Sequence, residues 1–207
     1  MVFPSPTTLE LFAAAAIALL LVPGPAVLYI VAQSAEQGRR VGLVSVAGIH
    51  LGTLVHVTAA AIGLSALIVA SAVAFGIVKY AGAAYLVYLG IRRLLARTEV
   101  APPEVRLQPL RRAFLRGVVV NVLNPKTALF FLAFLPQFVD PGRGDVWFQV
   151  LVLGIVFVAL GLVSDSLYAL AAGTLGRFVR RRRNVVRYGS GTIFIGLGAV
   201  AALARRT

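Results

Sequence analysis

Apolar runs alternate with short polar segments along the whole chain. A helix needs about 20 apolar residues to cross the hydrocarbon core of a bilayer. Six runs reach or approach that length: residues 11–32, two stretches within 41–91 joined by a turn near 64–76, and residues 117–138, 147–176 and 188–204. The pattern predicts an all-α integral membrane protein with six transmembrane helices.

The first run is expected to be a retained span. A signal peptide opens with basic residues, but residues 1–10 contain no Lys or Arg and include Glu10. The run also continues through Pro23-Gly24-Pro25, which would break the helix of a signal peptide.

Composition agrees with a membrane protein. Charged residues make up 13% of the chain, whereas soluble domains average about 25%. With 207 residues and six spans there is no room for a sizeable soluble domain, so we predict a single membrane domain over 1–207. The absence of cysteine excludes disulfides, iron–sulfur clusters and thiolate metal sites.

The net charge of +13 is concentrated in loops. Fifteen of the 20 basic residues lie at 39–40, 92–116 and 177–187. The positive-inside rule places these three loops in the cytoplasm and both termini outside. The charge is therefore an orientation signal. No basic stripe is interleaved with aromatic residues, as nucleic-acid binding would need.

The run at 117–138 contains residues that packing alone does not explain. Its middle reads Asn124-Pro125-Lys126. Proline breaks the helix ladder, and a lysine in hydrocarbon costs at least about 2.5 kcal/mol. Such residues are tolerated where broken backbone lines a cavity between helices. We therefore interpret this run as half of a transport site.

A second break lies in the first run. Aligning Pro23 with Pro125 places LVPGPAVLYI (21–30) over LNPKTALFFL (123–132). With three spans per half, the halves would form two inverted repeats, about 8–93 and 116–204, joined by a linker at about 94–115. Matching broken helices in inverted repeats indicate a substrate site near mid-membrane. The alternative is two proline kinks aligned by chance.

Four segments, in order and over nearly the whole chain, resemble the LysE/RhtB-type amino-acid exporters of bacterial plasma membranes. These segments are Pro23-Gly24-Pro25, the Gly48-x3-Gly52 pair, KYAGAAYLVYLG at 79–90, and the run from Gly117 through Asn-Pro-Lys to LPQF at 135–138. The spacing of Gly48 and Gly52 also predicts that two helices approach closely there, because small residues four apart leave room for a neighbouring backbone. One departure is Val22, where family members often have Asn. The resemblance implies a secondary transporter that exports an amino acid or a derivative, driven by the proton gradient.

Two opposite charges are predicted to lie at similar depth. Lys126 is 10 residues past Arg116, and Asp165 is 12 residues before Arg177. These spacings place them about 15 and 18 Å from the inner edge of the bilayer. Because an unpaired charge in the membrane is costly, we expect Lys126 and Asp165 to pair across one cavity. The pair either belongs to the site or only locks two spans together.

A zwitterionic amino acid needs partners for both charged groups. Free N–H groups at Pro23-Gly24-Pro25 and Asn124-Pro125-Lys126 suit the carboxylate, and the Lys126 ammonium would strengthen that attraction. Asp165 suits the amine or carries the coupling proton. Asn124 either satisfies a backbone group freed by Pro125 or only caps the helix.

His50 and His56 are further candidates for proton coupling. Six residues separate them, so they point about 240° apart around a helix and make a poor metal pair. Each is either a packed or pore-lining side chain or a proton relay. We predict no metal site and no cofactor.

Two other classes of function fit the sequence less well. A divalent-metal exporter of related architecture is disfavoured by the missing cysteines, the single methionine and the scattered histidines. An intramembrane enzyme would need a nucleophile beside a base, and no histidine is placed to serve Ser190. The expected partners are a small amino-acid substrate, protons and the lipid bilayer, with a homo-oligomer left open and no nucleic acid.

Overall fold

The structure is a computed structural model that describes residues 2–70, 72–95 and 109–172, together with scattered positions between 188 and 202. Several predicted features lie outside the described residues. These are the basic loop at 177–187, most of the linker, Ser190 and the greater part of the sixth span.

The described residues are helical and contain no strand. Seven α-helices follow one another: α1 Pro6–Leu20, α2 Pro25–Gln37, α3 Arg39–Ala70, α4 Ala72–Leu95, α5 Leu110–Val122, α6 Pro125–Leu129 and α7 Val146–Leu170. A π-helical turn at Phe130–Phe134 and a 3₁₀ turn at Leu135–Phe138 extend α6, and a short 3₁₀ turn at Pro141–Arg143 precedes α7.

Two stretches of helix are long and apolar enough to cross a bilayer, Arg39–Gly63 in α3 and Val146–Leu170 in α7. Two bent pairs add to them. The α1–α2 pair bends by 55°, and α5 bends by 45° against Pro125–Phe138. The described part of the chain therefore contains two candidate spans, or up to four if each bent pair is one broken span.

Element boundaries agree with the sequence pattern in part. Helix α3 ends at Ala70 and α4 begins at Ala72, both inside the turn predicted near 64–76. The predicted loop around Gly38 is shorter than expected, because α3 begins at the next residue. Gly38 has φ +89°, a backbone conformation that glycine adopts without steric cost. Helix α5 begins at Leu110, inside the stretch predicted as linker.

Helices α3 and α5 approach each other closely through glycines. A Cβ atom built on Gly48 would lie 2.1 Å from the Phe114 carbonyl oxygen, and one on Gly117 would lie 2.8 Å from the Ser45 carbonyl oxygen. A Cβ on Gly52 would lie 2.9 Å from the Asn121 Cβ. The prediction that Gly48 and Gly52 bring two helices together is confirmed.

A cluster of phenylalanines packs α1, the π-helical turn and α7 together. Phe130 stands at its centre, with ring centroids 4.8 Å from Phe157 and 5.7 Å from Phe12. These side chains are buried. The cluster fixes the segment after α6 against α7, which contributes the buried carboxylate described below.

Candidate functional site

Each broken helix restarts at a proline. Pro25 is the first residue of α2 and Pro125 is the first residue of α6. Proline is well tolerated there because the first N–H of a helix has no intrahelical acceptor. By helix start, Pro125 corresponds to Pro25, so the sequence alignment that paired it with Pro23 is two residues out of register.

The carbonyl that each proline leaves without its helical donor is bonded by another helix. Proline at position i removes the bond to the carbonyl of residue i−4. For Pro25 that carbonyl belongs to Leu21 and accepts a bond from the Tyr168 hydroxyl at 3.0 Å. For Pro125 it belongs to Asn121 and accepts a bond from His56 Nε2 at 2.9 Å. Both breaks are thus held open by side chains from α7 and α3.

Lys126 connects the two breaks directly. Its Nζ donates a hydrogen bond of 2.5 Å to the carbonyl oxygen of Val22, in the break between α1 and α2. The residue is only 8% exposed. A Cβ on Gly24 would lie 3.0 Å from Lys126 Cδ, so the lysine side chain runs across a position that glycine keeps open. The departure at Val22 noted in the sequence leaves this contact intact, because the contact uses the backbone.

The predicted direct pairing of Lys126 with Asp165 is wrong, although both side chains line one cavity as expected. Within the described residues, the ammonium bonds the Val22 carbonyl and the carboxylate pairs with His50 instead. The reason is local: Lys126, the second residue of α6, lies beside the Val22 carbonyl, which the first break leaves without a helical donor.

His50 and Asp165 form a buried pair between α3 and α7. His50 Nε2 lies 3.1 Å from Asp165 Oδ2, and the two residues are 5% and 3% exposed. Gly161 makes room for the ring, since a Cβ there would lie 2.5 Å from His50 Cε1. His50 Nδ1 is buried and has no hydrogen-bond partner in the described part of the chain. A histidine–carboxylate pair of this kind can exchange a proton.

Asn121 organises the polar groups around the second break. Its amide nitrogen donates to the Ile49 carbonyl and to Thr53 Oγ1, both at 2.9 Å. Its amide oxygen accepts bonds from Asn124 at 3.2 Å and Thr127 at 3.1 Å. Asn124 in turn caps α6 by accepting a bond of 3.1 Å from the Lys126 backbone N–H.

Sequence reasoning missed Asn121, Thr53 and Thr127. A signal was present for two of them, because Asn121, Asn124 and Thr127 recur every three residues on either side of Pro125. Three polar residues at this spacing on an apolar helix share one face, which indicates a polar contact surface. Thr53 offered no such signal, since its role depends on how α3 packs on α5.

These groups surround a cavity of about 30 Å³, room for about two water molecules. Its polar lining consists of His50, Thr53, Asn121, Asn124, Lys126, Thr127 and Asp165, and Gly24 also borders it. The cavity thus brings together five of the predicted site residues. Pro23, Pro25, Pro125 and His56 lie outside its lining, and the prolines act by shaping the breaks. The described residues contain no cluster of three or more His, Asp or Glu side chains that would hold a metal ion.

Apolar helices of bilayer length, broken spans and buried charges around one cavity are typical of membrane transporters. The chain belongs to the LysE type translocator family, whose family model matches residues 17–205. It is 35% identical over 193 residues to an uncharacterised membrane protein of Vibrio cholerae, which covers 92% of this chain and 94% of that protein. The family resemblance seen in the sequence is confirmed.

Other relatives carry functional names. The chain is 32% identical over 190 residues to the homoserine/homoserine lactone efflux protein of Salmonella typhimurium, covering 90% of this chain and 92% of that protein. A Salmonella typhi protein of the same name is 31% identical over 190 residues, with the same coverage. No solved structure matches the chain.

Gly161→Ala should separate His50 from Asp165. The added methyl would overlap the imidazole at 2.5 Å, and overpacking of this kind costs about 1–3 kcal/mol. Differential scanning fluorimetry in detergent should show a lower Tm. The control is the double variant Gly161→Ala/His50→Ala, which lacks the clashing ring. Its Tm should equal that of His50→Ala alone. If the decreases in Tm of the two single variants add up in the double variant, the close contact between Gly161 and His50 is contradicted.

Proposed function

We propose that this translocator exports a small amino acid of the homoserine type from the bacterial cytoplasm across the plasma membrane, in exchange for protons. The observation that carries the proposal is the central cavity, where a buried ammonium, a buried carboxylate and two broken helices meet. An amino acid presents both charges, and this cavity offers complementary groups for both. The names of the Salmonella relatives support the substrate class.

The break between α1 and α2 suits the two charged ends of an α-amino acid. Helix α2 begins at Pro25, and its N-cap Gly24 offers no side-chain cap, so the free N–H groups after Pro25 and the helix dipole favour a carboxylate. On the other side of the same break, the Val22 carbonyl accepts a bond from a cation, here the Lys126 ammonium. The ammonium and carboxylate of an α-amino acid are joined through a single carbon, so both reach this short break.

The polar lining next to this break suits a hydroxylated side chain. Thr53 and Thr127 border the cavity, and their hydroxyl groups bond within the network of Asn121. A homoserine hydroxyl can both donate and accept hydrogen bonds, so it can join such a network.

The His50–Asp165 pair is the proposed carrier of the coupling proton. Both side chains are buried and both border the cavity, so their proton can exchange with either side only as the cavity opens there. Uptake of a proton from outside and its release inside would drive one substrate molecule outward. His56 is assigned a structural role, since it bonds the Asn121 carbonyl away from the cavity.

The architecture is proposed to be six spans in two inverted repeats, with both termini outside. The arginine-rich loops support the orientation. The two breaks support the repeat, because each restarts at a proline and has its freed carbonyl bonded by a helix of the other half: Tyr168 of α7 serves the first and His56 of α3 serves the second. This exchange of partners is what a pseudo-twofold axis between the halves would produce.

Overexpression in a bacterial host tests the proposed export. The host should tolerate more external L-homoserine and should hold less of it inside, measured by mass spectrometry of washed cells. A vector-only strain is the control for changes in growth. No change across an amino-acid panel, together with increased tolerance to cobalt, nickel or cadmium, would instead support the divalent-metal exporter.

A further inference from the structure

We infer that Lys126 is a tethered substitute for the ammonium group of the substrate. In the structure its side chain bonds the Val22 carbonyl at the first break, and the substrate ammonium replaces it there during transport. The inference rests on the proposed function, because it takes the transported molecule to carry an ammonium group.

The position of Lys126 Nζ is a cation site by its chemistry. Val22 directly follows the end of α1 and its capping residue Leu21, where the helix dipole concentrates negative partial charge. In transporters with broken helices, such ends coordinate the transported or coupled cation. Here the site is filled from within the chain, by an ammonium that hydrogen-bonds this carbonyl.

The size of the cavity requires something to move before substrate binds. About 30 Å³ holds roughly two water molecules, which is too little for an amino acid. The Lys126 side chain fills the space beside Gly24 and hangs on a flexible four-carbon stem. It is therefore the group in the lining best suited to withdraw.

An exchange of one ammonium for another keeps the electrostatics of the break balanced. The Val22 carbonyl retains a cationic donor at every stage, so the transporter avoids exposing an unbonded carbonyl in a dry cavity. The displaced lysine stays tethered at the start of α6, from where its ammonium can pair with the substrate carboxylate at the start of α2. The Lys126 side chain would thus occupy the ammonium site before substrate binds and hold the substrate carboxylate afterwards.

Chemical rescue tests this inference. Lys126→Ala removes the ammonium and leaves space in front of the Val22 carbonyl, whereas Lys126→Met removes the charge but fills the space. Ethylammonium should raise the Tm of the purified Ala variant in a saturable way and should leave the wild type and the Met variant unchanged. Tetramethylammonium, which has no N–H to donate, should have no effect on any of the three.

Competition separates the proposed role from a purely structural one. L-homoserine should shift the ethylammonium titration of the Ala variant to higher concentrations, because the two ammonium groups share one site. The analogue 4-hydroxybutanoate, which lacks the amine, should not shift it. Additive stabilisation by ethylammonium and L-homoserine would overturn the inference, as would the absence of any ethylammonium effect on the folded Ala variant.

The remaining outcomes are also decisive. If folded Lys126→Ala protein is obtained only when ethylammonium is present, the result supports the ammonium site. The competition with L-homoserine is then measured in buffer that contains ethylammonium. Failure to recover it under any condition, while the Met variant is recovered, counts against the site. If L-homoserine competes but the wild type exports no amino acid, the proposed function fails, and the Val22 carbonyl is then a site that binds an ammonium group without transporting it. If export occurs but L-homoserine never competes, the inference fails alone.

Discussion

Asp165→Asn should abolish the response of efflux to a pH gradient while substrate exchange continues. Asparagine has nearly the same shape as aspartate and can still bond His50 Nε2, which lies 3.1 Å from the carboxylate. An amide, however, binds and releases no proton near neutral pH. In proteoliposomes, efflux should fall to the rate seen without a gradient. Exchange of internal for external substrate needs no net proton movement and should be retained.

Asp145→Asn is the matched control for this substitution. Asp145 is an exposed carboxylate before the first residue of the same helix, and its side chain makes no capping bond. Its loss should leave both the gradient response and the exchange rate near wild type. A full gradient response in Asp165→Asn would remove the His50–Asp165 pair from the coupling mechanism. Loss of exchange in the folded variant would instead place Asp165 in substrate binding.

Gly48→Ala should prevent α3 and α5 from packing. The new methyl would lie 2.1 Å from the Phe114 carbonyl oxygen and 3.1 Å from the Phe114 Cα. These are backbone atoms, which cannot rotate away as a side chain can. Overpacking costs about 1–3 kcal/mol even where side chains can adjust, so we expect a loss at or above the top of that range. Size-exclusion chromatography in detergent should show little monodisperse protein.

Gly63→Ala controls for the removal of a glycine from the same helix. A Cβ at Gly63 would meet no atom of the described residues within 4 Å, and alanine favours a helix over glycine by about 0.5–1 kcal/mol. This variant should be at least as stable as the wild type. Equal recovery of the two variants would show that α3 and α5 do not lie as close together as described.

The sequence predicted where the helices break because the physical causes are local. A proline removes a hydrogen bond wherever it stands, and a lysine at mid-span requires a polar surrounding. Both statements hold before any packing is known. The Gly48 and Gly52 spacing likewise indicated a close helix contact, although the partner helix, α5, was not predictable from it.

The partners of the buried charges were not predictable in the same way. Counting residues from the basic loops estimates the depth of Lys126 and Asp165, but it leaves open the direction in which each side chain points. At similar depth, His50 on α3 and the Val22 carbonyl were equally available partners. The choice depends on helix rotation and on Gly161, which admits the imidazole beside Asp165.

The alignment of Pro23 with Pro125 disagrees with the helix starts for a related reason. Two prolines in Pro23-Gly24-Pro25 offer two alignments with Pro125, and the matching aliphatic residues favoured the first. Only the backbone shows that α2 starts at Pro25, with Gly24 before it as the cap. The carbonyl bonded by Tyr168 then corresponds to the carbonyl bonded by His56.

Proton-coupled efflux by the purified protein tests the central claim most directly. Wild-type protein in proteoliposomes loaded with labelled L-homoserine should release it faster when the outside is made acidic. A protonophore should remove the acceleration, and protein-free liposomes should show no release above leak. A rate of L-homoserine release that does not change with the pH gradient would contradict proton antiport. The absence of release for L-homoserine and for every other amino acid tested would contradict the assignment as an amino-acid exporter.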